Sequence, residues 1–465
     1  MTTTDDHRAG EEDTNNASTS VEGRAETGAP TRRHEEAKSG MPTSDGSAAL
    51  ESVRRLPGGA ELLAAANEHG GKVELVGGAV RDIMLGSSPR ELDVIVDTGV
   101  EQLASVLASR LQGEVTLYER FGTAVVQGAH TSIDLATIRA EGYSSPGALP
   151  EVHPGSPEQD LQRRDFTVNA IALELAGEHQ GQIRAVAGAL EDLAARRLRV
   201  LHETSFLDDP TRILRLVRYA TRLGFEVEPH TATLTAAALR TDALKTVSGS
   251  RLGAELRLAF AERDPVSTLA ELDRLGVFAA WEPGVSFDEH VVRTALEILP
   301  EDGSIQVLLA ASLILELCQH LDKEETEPTM RGFLHNLELP AGSGDRAFGA
   351  AVSAAFASDH VHCTDTTVDL LELTIGTPVE SLALAGAVRE MEDGPGSYGR
   401  RVVEEWLSQQ RHISLEVTGD DLIAAGVPEG PEVGVRLEES YRLLLEERIE
   451  PGRDTELRAA LAARI

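Results

Sequence analysis

The chain has 465 residues, room for about two to four packed units, and carries a formal net charge of −34. Its apolar fraction is 41% but aromatics are only 4%, so its cores must rest on Leu, Ala and Val. No apolar run of about 18 residues is present, which excludes a membrane-spanning helix, and two distant cysteines, Cys318 and Cys363, exclude a disulfide framework or a CxxC metal cluster. The cysteine usage fits a reducing cytoplasm.

Only four of the 43 basic residues are lysines (Lys38, Lys72, Lys245, Lys323); the rest are arginines. A nucleic-acid-binding chain is expected to be basic. Two readings accommodate the acidic balance. One is a halophilic protein, since at molar salt the Debye length falls to about 3 Å and a diffuse negative surface repels RNA little. The other confines the positive charge to a single cleft.

In chain order, residues 1–47 are polar and acidic with no apolar h-region, and are expected to be a disordered tail rather than a secretory signal. Helical spacing at Leu50, Val53 and Leu56 breaks at Pro57-Gly58-Gly59 and resumes at Leu62, Leu63 and Ala66. Residues 73–76 (VELV) predict a strand that ends in Gly77-Gly78, followed by a helical turn. Glycines let a backbone approach phosphates, helix N-terminal amides favour anions, and Arg81 adds a charge-assisted contact. On its own this is equally an ordinary strand–helix turn.

The strand ELDVIV (91–96) carries Glu91 and Asp93 two apart, on one face. Two acids so placed repel each other unless a cation sits between them, and oxygen ligands of this kind suit Mg²⁺. Asp134, in the later strand SIDLAT, offers a third carboxylate. In so acidic a chain these acids could equally form a solvated edge. Residues 100–113 predict an amphipathic helix, and 114–139 predict strands with a turn at Gly128. Strands and helices mixed on this scale predict a sheet with helices on one face.

From about Leu161 the pattern reads as helical almost throughout. Arg163-Arg164-Asp165 precedes an apolar run read as a helix, which Asp165 would cap unless it accepts from a ribose hydroxyl. In SFLDDPTRILRLVRY (205–219), Pro210 suits a helix start, and Asp209 and Arg212 are spaced for one helix face. That pair could form an internal ion pair, or could read a base edge: Asp accepts from an exocyclic amine and Arg donates to ring or carbonyl acceptors.

Taken as an ordered series, GG-x-VRD, the diacid, FGTA, RRDFTVNA, DDPTRILRLVRY and RLGAEL fall within residues 70–260. This series resembles the class II tRNA nucleotidyltransferase and bacterial poly(A) polymerase family, and residues 417–434 are similar to its tail. The resemblance implies an α+β fold: a polymerase-β-like head (48–178), then helical neck (179–262), body (263–400) and tail (401–465). It implies that Glu91 and Asp93 bind metal, with Asp134 as a weaker third catalytic acid. It implies that Gly77, Gly78 and Arg81 cradle a triphosphate. Arg163, Arg164 and Asp165 would hold the nucleotide's sugar and phosphates. Asp209 and Arg212, with Asp208 and Arg215 beside them, would select the base. The implied partners are Mg²⁺, ATP, CTP and the 3′ end of tRNA.

Two departures from the family pattern bear on function. The diacid begins with Glu91 where Asp is usual, and the base-reading motif begins with Asp208 where Glu is common. Full or partial CCA addition, poly(A) synthesis and an inactive RNA-binding relative are the readings in play. No His-Asp dipeptide occurs, so an appended metal-dependent phosphohydrolase is not expected.

Overall fold

The computed structural model describes residues 45–118, 122–320, 323–361 and 377–463. The expected tail, apart from its last three residues, together with Phe121 of FGTA and Cys363, lies outside the described residues. The first described element is a helix at Gly46–Arg55, where Asp45 accepts from the Ser47 amide. A second helix, Gly59–His69, follows the Pro-Gly break.

A seven-stranded mixed sheet forms the head. Its strands are β1 (Val73–Val76), β2 (Leu92–Val96), β3 (Glu114–Tyr118), β4 (Thr123–Gln127), β5 (Ser132–Thr137), β8 (Ile171–Glu174) and β9 (Ile183–Ala185), ordered β3-β4-β5-β2-β1-β8-β9. The β2–β5 pair is parallel; every other neighbour pair is antiparallel. A separate hairpin joins β6 (Arg139–Gly142) to β7 (Glu151–Pro154). On one face the period-2 residues Leu75, Val94, Ile133 and Leu135 pack with Leu62, Leu63, Leu103 and Leu107 of the helices Gly59–His69 and Val100–Leu111. On the other face Val76, Ile95, Ala170 and Ala172 form a small second cluster.

The run after Asp165 corrects the expected helix. Phe166 is extended, Thr167–Asn169 makes one 3-10 turn, and Ile171–Glu174 is the strand β8. A short, wholly buried apolar run has no periodicity to separate strand from helix. Here pairing to β1 and β9 on both sides decides it. The sheet is completed by β9, beyond the boundary expected at residue 178. On the face of Val76 and Ile95, Glu74 is fully buried opposite Glu174, and the Arg184 fork grips it at 2.7 and 2.6 Å.

The rest of the described chain is helical apart from a short parallel pair at Arg197–Leu198 and Glu226–Val227. Helix Thr211–Leu223 packs against helices Gly249–Phe260 and Pro265–Arg274. Farther on, helix Ser343–Val361 lies against Val379–Asp393, where buried alanines (350, 351, 354, 383, 387) let the backbones approach. A satellite core of Leu422, Val427 and Ala460 holds the C-terminal helices. None of the described helices is long and apolar enough to cross a membrane.

Candidate active site

A cleft of about 480 Å³ opens between the sheet face opposite the packed helices and the helix Thr211–Leu223. Nine arginines and six carboxylates line it, so a chain of net charge −34 concentrates a positive excess in this cleft. It collects Gly77, Gly78, Arg81, Glu91, Asp93, Arg163, Arg164, Asp165, Asp209, Arg212 and Arg215 from segments spread over 139 positions.

Glu91 is exposed and directly precedes β2, while Asp93 lies within it on the face of Ile95. The parallel register sets Asp134 of β5 beside Asp93 on that face. Burial pushes the Asp93 carboxyl up to about 6, and the charges of Asp134 and Glu91 add to this against the pull of Arg164. Asp134 is raised by burial and then by Glu91, but it stands outside the cleft lining. Among the described residues no three His, Cys, Asp or Glu side chains form a protein-only metal cage. Crowded carboxylate oxygens beside an arginine-lined wall still fit a hard divalent cation, which takes one or two carboxylates and completes its shell with phosphate oxygens and water.

The glycine turn is shaped by contact. Gly77 has φ of 72°, and a Cβ there would stand 2.7 Å from Nη1 of Arg164. Arg164 donates from Nη2 to Asp160, which also takes Arg163 at 3.0 and 2.8 Å. Its Nε is buried without a hydrogen-bond partner. Arg81 is buried, tied to Asp82 and to Oδ1 of Asn169, with its guanidinium 5.3 Å from the centre of the Tyr219 ring.

Asp165 caps no helix. Its Oδ2 accepts twice from Arg215 at 2.9 and 2.8 Å, and its Oδ1 accepts from Asn169 Nδ2 and the Phe166 amide. Burial pushes this carboxyl up, but Arg215 and Asn169 outweigh it and hold it at about 2. Its direct partners are therefore protein groups that orient the arginine wall.

The side chains of Asp209 and Arg212 do not pair with each other. Asp209 accepts from Thr211 and, at 2.9 Å, from Arg251; Arg212 donates to Ser205 Oγ and to the Arg163 carbonyl. The helix starts at Thr211, after Asp209, so the expected shared helix face is replaced by two anchored groups on one cleft wall. Asp208 accepts from Thr204 and does not line the cleft.

Sequence reading missed several cleft residues. Arg218, Tyr219 and Arg222 continue the 3–4 spacing of Arg212 and Arg215, a signal present in RILRLVRYATR. The centre of the Tyr219 ring lies 5.0–5.4 Å from the guanidiniums of Arg81, Arg215, Arg218 and Arg222. Arg251 lines the cleft from RLGAEL, and Glu255 of the same segment stands outside the lining and pairs with Arg215 and Arg218. Asn169 sits in RRDFTVNA, where only the first three residues were given roles; Arg90 and Tyr143 carry no local signal.

Comparison with known proteins follows the same lines. A model of the poly A polymerase head domain matches residues 73–199. An A-adding tRNA nucleotidyltransferase of Halalkalibacterium halodurans is 38% identical over 367 residues, covering 77% of this chain and 81% of that protein. A CC-adding tRNA nucleotidyltransferase of Deinococcus radiodurans is 32% identical, covering 78% and 82%. An A-adding tRNA nucleotidyltransferase of Geobacter sulfurreducens is 31% identical over 381 residues, but the match spans only 41% of its length. A CCA-adding enzyme structure shares the fold, with TM-score 0.76 at 24% identity over 90% of this chain and 98% of that one. On this likeness along head and helical body together, the chain belongs to the tRNA nucleotidyltransferase family.

Proposed function

We propose that the chain adds CMP or AMP from CTP or ATP to the 3′ end of tRNA without a nucleic-acid template, building CCA in full or in part. One observation carries the reading: a carboxylate pair faces an arginine wall across a single cleft of a strongly acidic chain. Phosphoryl transfer needs mainly positioning and electrostatic stabilisation, and such a cleft supplies both.

Glu91 and Asp93, with Asp134 alongside, would hold Mg²⁺. When bound, that ion neutralises triphosphate charge and lowers the pKa of the attacking 3′-hydroxyl. The chain's own groups do the rest. The bare Cα of Gly77 lets the Arg164 guanidinium pack against the turn, where it would meet phosphate oxygens with its unpartnered Nε as a further donor. Arg81 is held by Asn169 and Asp82 and lends charge to the same wall. Asp209 and Arg212, fixed by Arg251, Ser205 and the Arg163 carbonyl, would present an acceptor and donors to the base edge. Asp165 keeps Arg215 in place.

Poly(A) synthesis is the second reading. It has the named head domain and a 34% identical Poly(A) polymerase I of Escherichia coli behind it, but that likeness reaches only 36% of this chain. Two relatives that match over more than three quarters of this chain are named as tRNA nucleotidyltransferases. A cytoplasmic location, with its tRNA and nucleotide pools, and a high-salt working medium complete the proposal. The test is pyrophosphate release from ATP or CTP on adding tRNA that lacks its 3′ end. Release in proportion to incorporated nucleotide supports the reading; no release at any salt concentration overturns it.

A further inference from the structure

A chain of alternating charges runs along the cleft wall. Asp165 holds Arg215; Arg215 reaches Glu255 at 3.0 Å; Glu255 takes Arg218 at 3.1 Å; Arg218 reaches Glu262 at 3.3 Å. Glu262 then takes Arg90 at 2.9 Å, across 172 positions of sequence. Both ends of the chain lie in the head, and its middle lies on the helices Thr211–Leu223 and Gly249–Phe260 and the turn after them. The far end is the informative one. Glu262 is 2% exposed at its side chain, yet three arginines, 90, 218 and 222, converge on this one carboxylate. Arg90 immediately precedes Glu91, and all three arginines line the cleft.

We infer that Glu262 is a positioning residue that clasps Arg90 and so holds the Glu91–Asp93 pair in register with the arginine helix. The inference rests on the nucleotidyl-transfer reading. A buried charge shared by several cations is expensive to assemble unless each partner is held in place. Two of its partners are on the wall that would meet phosphate, and the third adjoins the carboxylates that would meet metal. Glu262 touches none of the reacting atoms; it acts through Arg90.

The test uses the full chain and the variants Glu262→Gln, Arg90→Met, Arg90→Lys and the Gln/Met double. A displacement of about 1 Å at the carboxylate pair costs on the order of 100-fold, so kcat should fall about 10- to 100-fold in Glu262→Gln and in Arg90→Met. The KM for nucleotide should stay within about two-fold, because the wall keeps its arginines. Arg90→Lys, which keeps the cation, should recover most of kcat. The double variant should be no worse than the poorer single. Mn²⁺ binding followed by electron paramagnetic resonance should weaken in the same pattern. Arg90 is half-exposed, so its variants fold even where Glu262→Gln does not. Wild-type kcat and Mn²⁺ affinity in both singles, or losses that multiply in the double, overturn the inference. A wild-type chain that incorporates no nucleotide defeats the functional reading instead, and the Mn²⁺ titration still decides the clasp.

Discussion

Asp93 and Asp134 are direct register partners across the one parallel strand pair of the head sheet, on the face that carries the cleft. A shift of one residue in β2 would turn Asp93 into the packed core and Val94 to the cleft. The apolar alternation of Leu92, Val94 and Val96 therefore aims the carboxylate. Asp93→Asn should lower kcat by about 1,000-fold or more, since metal-assisted charge stabilisation is worth several kcal/mol and each 1.4 kcal/mol is tenfold. Asp134→Asn, outside the cleft lining, should cost less. Single-turnover incorporation rates with saturating tRNA separate the two.

Gly77→Ala should raise the nucleotide KM and lower stability together. Its Cβ would strike Arg164, and its φ of 72° is strained for any L side chain, at about 1–2 kcal/mol. Gly78→Ala is the contrast: its nearest contact is 3.4 Å, from Arg81 Nη2, and no positive φ is required. Nucleotide titrations and urea midpoints on both variants would reveal equal effects if the contact at Gly77 were unimportant.

The Asp165 carboxyl, held at about 2 in the fold, gives a signed pH dependence. A depressed carboxylate stabilises fully above its unfolded value near 4, and that contribution is lost as pH falls through about 2. The shift corresponds to roughly 2.5 kcal/mol. Asp165→Asn should be less stable than the parent at pH 7, and the gap should narrow as pH drops from 4 toward 2. Urea denaturation across that range checks it; a gap independent of pH would contradict the ion pair's contribution.

Asp209→Ala should blur nucleotide choice while leaving the carboxylate pair intact. A hydrogen-bonded base contact is worth about 1–3 kcal/mol of discrimination, so the ratio of kcat/KM for the preferred over the rejected nucleotide should fall about tenfold or more. Arg212→Ala is the less clean probe, because Arg212 also ties Ser205 and the Arg163 carbonyl.

Salt gives a further check. With positive charge gathered in one cleft and net charge −34 overall, high salt should relieve long-range repulsion of RNA before it breaks the close arginine contacts. Incorporation measured against KCl should hold or rise into the molar range. A maximum at low salt would remove the high-salt part of the proposal.

Much of the head was legible in sequence because its strands alternate. The period-2 residues of ELDVIV and SIDLAT declare both the core face and the acids. Strand β8 was not legible: AIALE is buried on both faces, so only its partners β1 and β9 identify it. Among cleft residues, a short motif shows which side chains are grouped but not which partners they meet across long separations. Arg163, Arg164 and Asp165 are visible as a triplet, but that Asp165 serves Arg215 rather than solvent or a helix cap is a fact of tertiary packing. The same holds for Asp209, whose partner is Arg251 and not the neighbouring Arg212. Arg90 and Glu262, 172 positions apart, carry no sequence signal of their meeting.

The most direct measurement is gel-resolved extension of tRNA transcripts ending before CCA, after the first C and after CC. Each is offered CTP, ATP or both, beside an oligonucleotide that is not tRNA. The expected result is addition that stops at a defined point of the CCA sequence, on tRNA alone, and that disappears in Asp93→Asn. Long A-tails on any RNA, or no extension at any salt concentration, would contradict it.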